Sequence, residues 1–187
     1  MNNVYFVGTA GSGKSTMVGA FKKWLDDNEI DSIIINLDPG AEKLPYVPDI
    51  DIREWINLED VMSQCGLGPN GAQIAAADLM AVNIDKISSI LDTYDVDYVL
   101  IDTPPLGSVA DALTVAGYCD GSLLVVRSGD TPRKLIENSV QLLQRTETPM
   151  LGMVLNRADT GRKGNGYYYN HYYRYGYNDY GYGRSKK

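Results

Sequence analysis

The sequence has little cysteine, histidine or phenylalanine. Its 187 residues include two cysteines, one histidine and two phenylalanines. Two cysteines without the spacing of a metal motif exclude a disulfide framework and a cysteine-rich metal site, so both thiols are expected to be reduced. The single histidine, His171, lies among tyrosines and is expected to be solvated rather than to act as a ligand or a base.

The chain also has no apolar run long enough to cross a bilayer, and positive charge is scarce in most of it. Residues 1–161 carry 11 Lys and Arg against 23 Asp and Glu, whereas residues 162–187 carry 6 against 1. The two balances, −12 and +5, sum to the net charge of −7. An acidic body argues against nucleic acid as the main ligand. Because the sequence enters a strand directly in place of a signal peptide, we expect a cytoplasmic protein.

Tyrosine, by contrast, is abundant and concentrated. Nine of the fourteen tyrosines stand in GNGYYYNHYYRYGYNDYGYG, residues 164–183, which is expected to be a disordered and basic tail. The candidate phosphate acceptors in it are Tyr167, Tyr168, Tyr169, Tyr172, Tyr173, Tyr175, Tyr177, Tyr180 and Tyr182. Two alternatives are an inert low-complexity end and a segment that stacks on single-stranded nucleic acid.

Five apolar runs alternate with helical segments. The runs are 3–8, 32–38, 97–102, 121–127 and 150–156, and their near-continuous apolar character is typical of parallel strands covered on both faces. Helices are predicted over 14–27, 57–65, 78–92, 107–117 and 132–146. This order predicts a doubly wound, mostly parallel α/β sheet over residues 1–161, with the tail over 162–187. Ligands are expected at the carboxyl ends of the strands.

A phosphate-binding motif follows the first run. The segment GTAGSGKS fits the pattern G-x-x-x-x-G-K-[ST] and stands between a predicted strand and a predicted helix. Its glycines allow backbone N–H groups to point at phosphate oxygens, and its lysine would reach the β and γ phosphates. The predicted nucleotide-binding residues are Gly8, Gly11, Ser12, Gly13, Lys14, Ser15 and Thr16. The sequence therefore predicts a P-loop NTPase domain that binds a nucleoside triphosphate.

Two carboxylates end neighbouring strands. Asp102 precedes Thr-Pro-Pro, a Walker-B-like position from which it would hold Mg²⁺ together with the hydroxyl of Ser15. Asp38 ends the second run and could orient a nucleophile or accept its proton. With Lys14, these two aspartates are the predicted catalytic residues, and the alternative for each carboxylate is a cap or a turn residue.

A candidate base-recognition segment, NRAD, follows the last run. Asp159 could accept hydrogen bonds from a guanine edge, with Asn156 bracing the loop. Arg157 stands where many GTP-binding proteins carry lysine, and Asn-Arg also occurs in ATP-using relatives. A plain turn at a strand end is the alternative, and both ATP and GTP stay open as the nucleotide.

The first 104 residues resemble archaeal GPN-loop GTPases. The resemblance rests on GTAGSGKST, INLDPGAEKLPYVPDIDIREWI and GLGPNGA. It implies a homodimer in which the tripeptide Gly68-Pro69-Asn70 reaches across to the phosphate region of the partner's site.

From about Tyr98 onward the chain resembles bacterial tyrosine kinases of the polysaccharide-export type. That resemblance rests on DYVLIDTPPLGSVADA, GSLLVVRSGDTPRKLIENSVQLL, LGMVLNR and the tyrosine cluster. It implies that the tail tyrosines are acceptors at the site of a neighbouring copy, and that a membrane-associated partner activates the kinase. Because the two resemblances overlap only in YVLIDTP, we interpret the chain as a fusion, natural or engineered, of two related P-loop families.

Each resemblance has gaps. GPN-loop GTPases continue Asp-Thr-Pro with Gly-Gln, whereas Pro105-Leu106 stands here, so the glutamine that would position water is missing. The kinases carry Asp-x-Asp at the end of the second strand, whereas this chain has Asn36 and Asp38. We expect nucleotide binding to survive these gaps, whereas catalytic competence stays open.

Three functions follow from these observations. The leading prediction is a Mg²⁺-dependent protein that cleaves or transfers the γ-phosphate of ATP or GTP as a tyrosine autokinase, in a homodimer or higher homo-oligomer. The first alternative is a GPN-loop-type GTPase that acts as a homodimeric switch. The second is a nucleotide-binding module that has lost catalysis, and tight binding without turnover would identify it.

Overall fold

The structure is a computed structural model that describes residues 1–106 and 115–159. The predicted helix over 107–117 therefore lies mostly outside the described residues, and the nine candidate acceptor tyrosines lie wholly outside them. Residues Met1–Asn156 form one compact unit, and a second unit begins at Arg157. The predicted boundary at 161 stays a prediction.

A parallel sheet forms the centre of the first unit. Within the described residues its six strands are β1 (Asn2–Val7), β2 (Ser32–Asn36), β3 (Ile50–Asp51), β4 (Tyr98–Asp102), β5 (Gly121–Arg127) and β6 (Met150–Asn156). Their order in the sheet is β3-β2-β4-β1-β5-β6, and every neighbouring pair is parallel. The predicted doubly wound α/β fold is confirmed.

Helices cover both faces of the sheet. They are α1 (Lys14–Asp27), α2 (Leu58–Cys65), α3 (Pro69–Leu91) and α4 (Arg133–Leu143), with a single 3₁₀ turn over Ile52–Glu54. None of the helices in the described part of the chain combines the length and the apolar character that a membrane span requires.

The strands are near-continuous apolar runs because both faces of the sheet are covered, as the sequence predicts. Alternate residues of β1 enter two separate cores, with Val4 and Phe6 packed with Val18 of α1 on one face. Tyr5 and Val7 enter the larger core on the other face. Since both faces are covered, nearly every strand position is apolar.

Two elements differ from the prediction. Strand β3 was not predicted, because two residues are too short to give a periodic pattern. Helix α3 begins at Pro69 rather than at 78, because Gly68 has extended backbone angles at the N-cap and Pro69 occupies the first helical position. The predicted 78–92 segment is therefore only the second half of a helix that starts beside the Gly68-Pro69-Asn70 tripeptide.

Candidate nucleotide-binding site

The predicted phosphate loop connects β1 to α1 as a tight curl. Gly11 and Gly13 have φ angles of +70° and +94°, in the left-handed region that favours glycine. The backbone N–H of Ser12 donates to the carbonyl of Thr9 at 3.1 Å, and that of Met17 donates to Gly13 at 2.9 Å. The first backbone N–H groups of a helix have no partner within the helix, and those at the start of α1 are therefore suited to bind an anion.

Two glycines of this loop are required by packing. A Cβ atom on Gly8 would lie 2.3 Å from the carbonyl oxygen of Val125 in β5. A Cβ atom on Gly13 would lie 2.1 Å from Nδ2 of Asn156 at the end of β6. The loop is therefore packed against two neighbouring strands: a side chain at Gly8 would meet backbone, and one at Gly13 would have to displace the amide of Asn156.

The side chain of Asn156 braces the loop. Its Nδ2 atom donates a hydrogen bond to the carbonyl oxygen of Ser12 at 2.9 Å. The sequence predicts that Asn156 braces the base-recognition loop, and in the structure its amide lies on the phosphate loop. The other two candidate residues of that segment, Arg157 and Asp159, lie beyond the compact unit, so their part in base recognition stays a prediction.

The structure places the three predicted catalytic residues close enough together for their charges to interact. Lys14 is only 7% exposed, and its Nζ lies 3.4 Å from the carbonyl oxygen of Gly8. Burial lowers the pKa of Lys14, whereas the carboxylates of Asp102 and Asp38 act in the opposite direction. The arrangement concentrates one positive and two negative groups at the carboxyl ends of β2 and β4.

Asp102 is a buried carboxylate with one oxygen left over. Its Oδ2 atom accepts a hydrogen bond from the Tyr46 hydroxyl at 2.7 Å, whereas Oδ1 has no hydrogen-bond partner among the described residues. Burial raises the pKa of Asp102, and the nearby hydroxyls of Ser15 and Tyr46 and the charge of Lys14 oppose the rise. A buried carboxylate oxygen without a partner, beside a serine hydroxyl, fits a hard divalent cation such as Mg²⁺.

A cation held here would have few protein ligands. Among residues 1–106 and 115–159, no group of three or more His, Cys, Asp or Glu side chains could hold a metal ion. Mg²⁺ in nucleotide sites commonly takes one or two protein ligands and completes its shell with phosphate and water. Asp102 and Ser15 are therefore the residues of this chain that would hold it.

Asp38 is half-buried at the start of the loop that follows β2. Its Oδ1 atom accepts a hydrogen bond from the backbone N–H of Gly40 at 2.9 Å. Burial raises its pKa, and the N–H of Gly40, Lys14 and Arg53 oppose the rise. The group is thus kept close to Lys14 and has one carboxylate oxygen engaged by the backbone.

Asn36 helps to anchor the loop that carries Asp38, a role that the sequence did not predict. This fully buried side chain donates to Oδ1 of Asp51 at 2.9 Å and accepts from the backbone N–H of Asp38 at 3.1 Å. Asp51 in turn pairs with Arg53, whose guanidinium also donates to the carbonyl of Ala41. Although burial acts to raise it, hydrogen bonds from Arg53 and Asn36 hold the pKa of Asp51 below its usual range. Together these contacts anchor the loop that carries Asp38.

Leu106 occupies the position that follows the Asp-Thr-Pro-Pro segment. Its backbone N–H donates to the carbonyl oxygen of Gly8 at 2.9 Å, and its side chain is buried. An apolar side chain here has no group that could orient water. The position at which the sequence lacks a water-positioning glutamine is therefore filled by a buried apolar side chain beside the phosphate loop.

The Gly68-Pro69-Asn70 tripeptide forms the junction between two helices. Helix α2 ends at Cys65 and is capped by Gly66, which has a φ of +63°, and α3 begins at Pro69. The tripeptide therefore starts a 23-residue helix. Its partner-facing part stays a prediction.

The fold, the phosphate loop and the strand-end carboxylates define a P-loop nucleotide-binding protein. A family model described as "Conserved hypothetical ATP binding protein" matches residues 6–105, and the chain belongs to this family. The matched residues include the phosphate loop, β2, α3 and β4.

Relatives in this part of the chain are named as GTPases. The chain is 48% identical over 103 residues to the GPN-loop GTPase PAB0955 of Pyrococcus abyssi, which covers 54% of this chain and 41% of the relative. It is 42% identical over 104 residues to GPN-loop GTPase 1 of Dictyostelium discoideum, covering 54% of this chain and 26% of that protein. The chain thus spans well under half the length of these curated relatives.

Solved structures agree with the fold. The crystal structure of the Pyrococcus abyssi GTPase PAB0955 superposes with a TM-score of 0.70 and 28% identity, covering 92% of this chain and 72% of that one. The kinase domain of Escherichia coli tyrosine kinase ETK superposes with a TM-score of 0.56 and 22% identity, covering 87% and 71% of the two chains. The second likeness shows a shared fold alone. The names of the relatives therefore fit the GTPase alternative better than the tyrosine autokinase, and the fusion stays a hypothesis.

Proposed function

We propose that this protein binds a guanine nucleotide with Mg²⁺ and hydrolyses GTP in the manner of a GPN-loop GTPase. The observation that carries the proposal is a closed phosphate loop whose buried Lys14 is coupled to Asp38 and Asp102. The names of the relatives favour GTP over ATP.

The phosphate loop supplies binding and charge stabilisation. Backbone N–H groups at the start of α1 would hold the phosphates, and Lys14 would stabilise negative charge that develops on the γ-phosphate. Its burial strengthens this effect, because the interaction of charges is less screened away from water. A magnesium ion held by Ser15 and Asp102 would neutralise part of the phosphate charge.

Asp38 is the residue that we assign to the attacking water. It is a half-buried carboxylate close to Lys14, and burial raises its pKa toward the range in which a carboxylate accepts a proton well. Leu106, in the position of the missing glutamine, cannot take this part. Asp38 would therefore orient the water and accept its proton.

We also propose that the protein acts as a homodimer through α3. This helix exposes large apolar side chains, with Ile74 52% and Val82 79% exposed, and Leu79 lies between them. These residues follow the Gly68-Pro69-Asn70 tripeptide along the same helix. Apolar side chains exposed in this way among the described residues are typical of an interface between copies.

The test is to incubate the protein with Mg-GTP or Mg-ATP and to measure free phosphate and intact mass in the same samples. We expect phosphate release from GTP, an unmodified chain, and loss of release in Lys14→Met. Lys23→Met is the matched control, because Lys23 lies on the same helix and pairs on the surface with Asp27.

Other outcomes would contradict the proposal in distinct ways. Mass increments of a phosphate on the tyrosines, absent in Lys14→Met, would make the protein a tyrosine autokinase. Nucleotide binding without turnover would leave a binding module. A Lys23→Met variant as impaired as Lys14→Met would show that the assay reports helix stability rather than the site.

A further inference from the structure

Tyr46 connects the loop after β2 to the predicted magnesium site. Its hydroxyl donates to Oδ2 of Asp102 at 2.7 Å, across a separation of 56 residues in the chain. Oδ1 of the same carboxylate is buried and has no hydrogen-bond partner among the described residues. One oxygen of Asp102 is thus engaged, and the other is left for a ligand.

The ring of Tyr46 packs beside α1 and the core beneath it. It packs against α1, where a Cβ atom on Gly19 would lie 3.5 Å from its Cδ1 atom, in ordinary van der Waals contact. It also lies at the edge of the core that α1 forms with the sheet. Pro45 and Pro48 flank this part of the chain and restrict its backbone, so that less conformational entropy is lost when the ring is placed.

The rest of the loop is anchored at its two ends. The backbone N–H of Leu37 donates to the carbonyl oxygen of Asp102 at 2.8 Å. At the far end, Asp49 accepts a hydrogen bond from the backbone N–H of Ile34 through its carboxylate at 2.8 Å. The segment that presents the Tyr46 hydroxyl is therefore tied at one end to Asp102 of β4 and at the other end to Ile34 of β2.

We infer that Tyr46 is a positioning residue of the magnesium site: its hydroxyl holds Oδ2 of Asp102 and thereby keeps Oδ1 directed to the cation. The inference rests on the proposed function, because it takes Asp102 as the ligand. A hydrogen bond to a charged group is strong and orients the carboxylate that accepts it.

The experiment measures how much Mg²⁺ strengthens nucleotide binding. A fluorescent GDP analogue is titrated with the full-length protein, once with excess Mg²⁺ and once with EDTA, and the ratio of the two affinities is the magnesium increment. For Tyr46→Phe, which keeps the ring, we expect unchanged affinity in EDTA and an increment lowered by roughly tenfold, the size expected for a hydrogen bond to a charged group. Thermal unfolding of each variant checks the fold.

Tyr98→Phe is the matched control. Tyr98 packs against the same core as Tyr46, but it lies at the amino end of β4, whereas Asp102 ends that strand. We expect this variant to keep the wild-type increment. A second comparison places Tyr46→Phe in an Asp102→Asn background, where it should lower the increment no further, because Tyr46 acts through that carboxylate.

The outcomes separate this inference from the proposed function. If the wild-type protein does not bind the nucleotide at all, both are overturned. If it binds and Tyr46→Phe keeps or increases the magnesium increment, only the inference is overturned. A Tyr46→Phe variant that does not fold, or one equally impaired with and without Asp102, would also overturn it, since the hydroxyl would then be structural.

Discussion

At the scale of single residues, glycine is required in the phosphate loop for two separate reasons. Gly13 combines a left-handed φ of +94° with the close approach of Asn156, so both backbone strain and a steric clash oppose any side chain there. Gly66, at the end of α2, has a φ of +63° and nothing within 4 Å of its virtual Cβ atom. The two glycines therefore allow strain and clash to be separated.

We expect Gly13→Ala to abolish nucleotide binding and to lower the free energy of unfolding by more than Gly66→Ala, which should cost about 1 kcal/mol from strain alone. Urea unfolding of both variants measures the difference. The double variant Gly13→Ala/Asn156→Ala should regain part of the loss, because the clashing amide is gone. Equal destabilisation by the two single alanine variants would contradict a steric role for Asn156.

At the scale of elements, the phosphate loop depends on strands that follow it much later in the sequence. Strand β5 approaches Gly8 through the carbonyl of Val125, and the end of β6 reaches Ser12 through Asn156. The loop between β2 and β3 is held by Asn36, Asp51 and Arg53. The site is thus shaped by packing between elements rather than by the glycine-rich motif alone.

Asn156→Ala tests the contact between β6 and the loop. We expect a loss of about 1 kcal/mol in the free energy of unfolding, typical of one hydrogen bond, together with weaker nucleotide binding because the loop is less ordered. Asn28→Ala is the control, since Asn28 donates a similar side-chain bond to Trp24 at the far end of α1. Urea unfolding and titration of fluorescent GDP measure the two effects. Unchanged nucleotide affinity in Asn156→Ala would contradict the inference that Asn156 orders the phosphate loop.

At the scale of the whole molecule, helix α3 has apolar side chains that are exposed among the described residues. Val82 is 79% exposed and lies on the same helix as the exposed Ile74 and Leu79. Val47, in the loop after β2, is 89% exposed and does not belong to this group. The two valines differ in position but are alike in type and in exposure.

We expect Val82→Asp to weaken self-association by an order of magnitude or more, because a carboxylate would have to be buried in an apolar interface. Val47→Asp should leave self-association unchanged. Light scattering over a range of protein concentrations measures the dimer fraction. A wild-type protein that stays monomeric throughout, or a Val47→Asp variant that dissociates equally, would show that α3 does not form the interface.

Local pattern was enough to predict much of this molecule. The five longer strands and the helix after the phosphate loop follow from apolar runs and a short glycine motif, as do the placement of Lys14 at the start of α1, Asp38 just after β2 and Asp102 at the end of β4. These features could be read because each depends on residues close together in the chain. The two-residue β3 and the early start of α3 could not, since neither has a periodic apolar signal of its own.

Tertiary structure decided how the site is assembled. The sequence by itself determined that a phosphate loop and two strand-end carboxylates exist, because local backbone chemistry dictates them. The hydrogen bond from Asn156 to Ser12 spans 144 residues, and that from Tyr46 to Asp102 spans 56. Such contacts depend on strand order and register and on how the loop after β2 packs against α1, which bring distant side chains within 3 Å only in the folded chain.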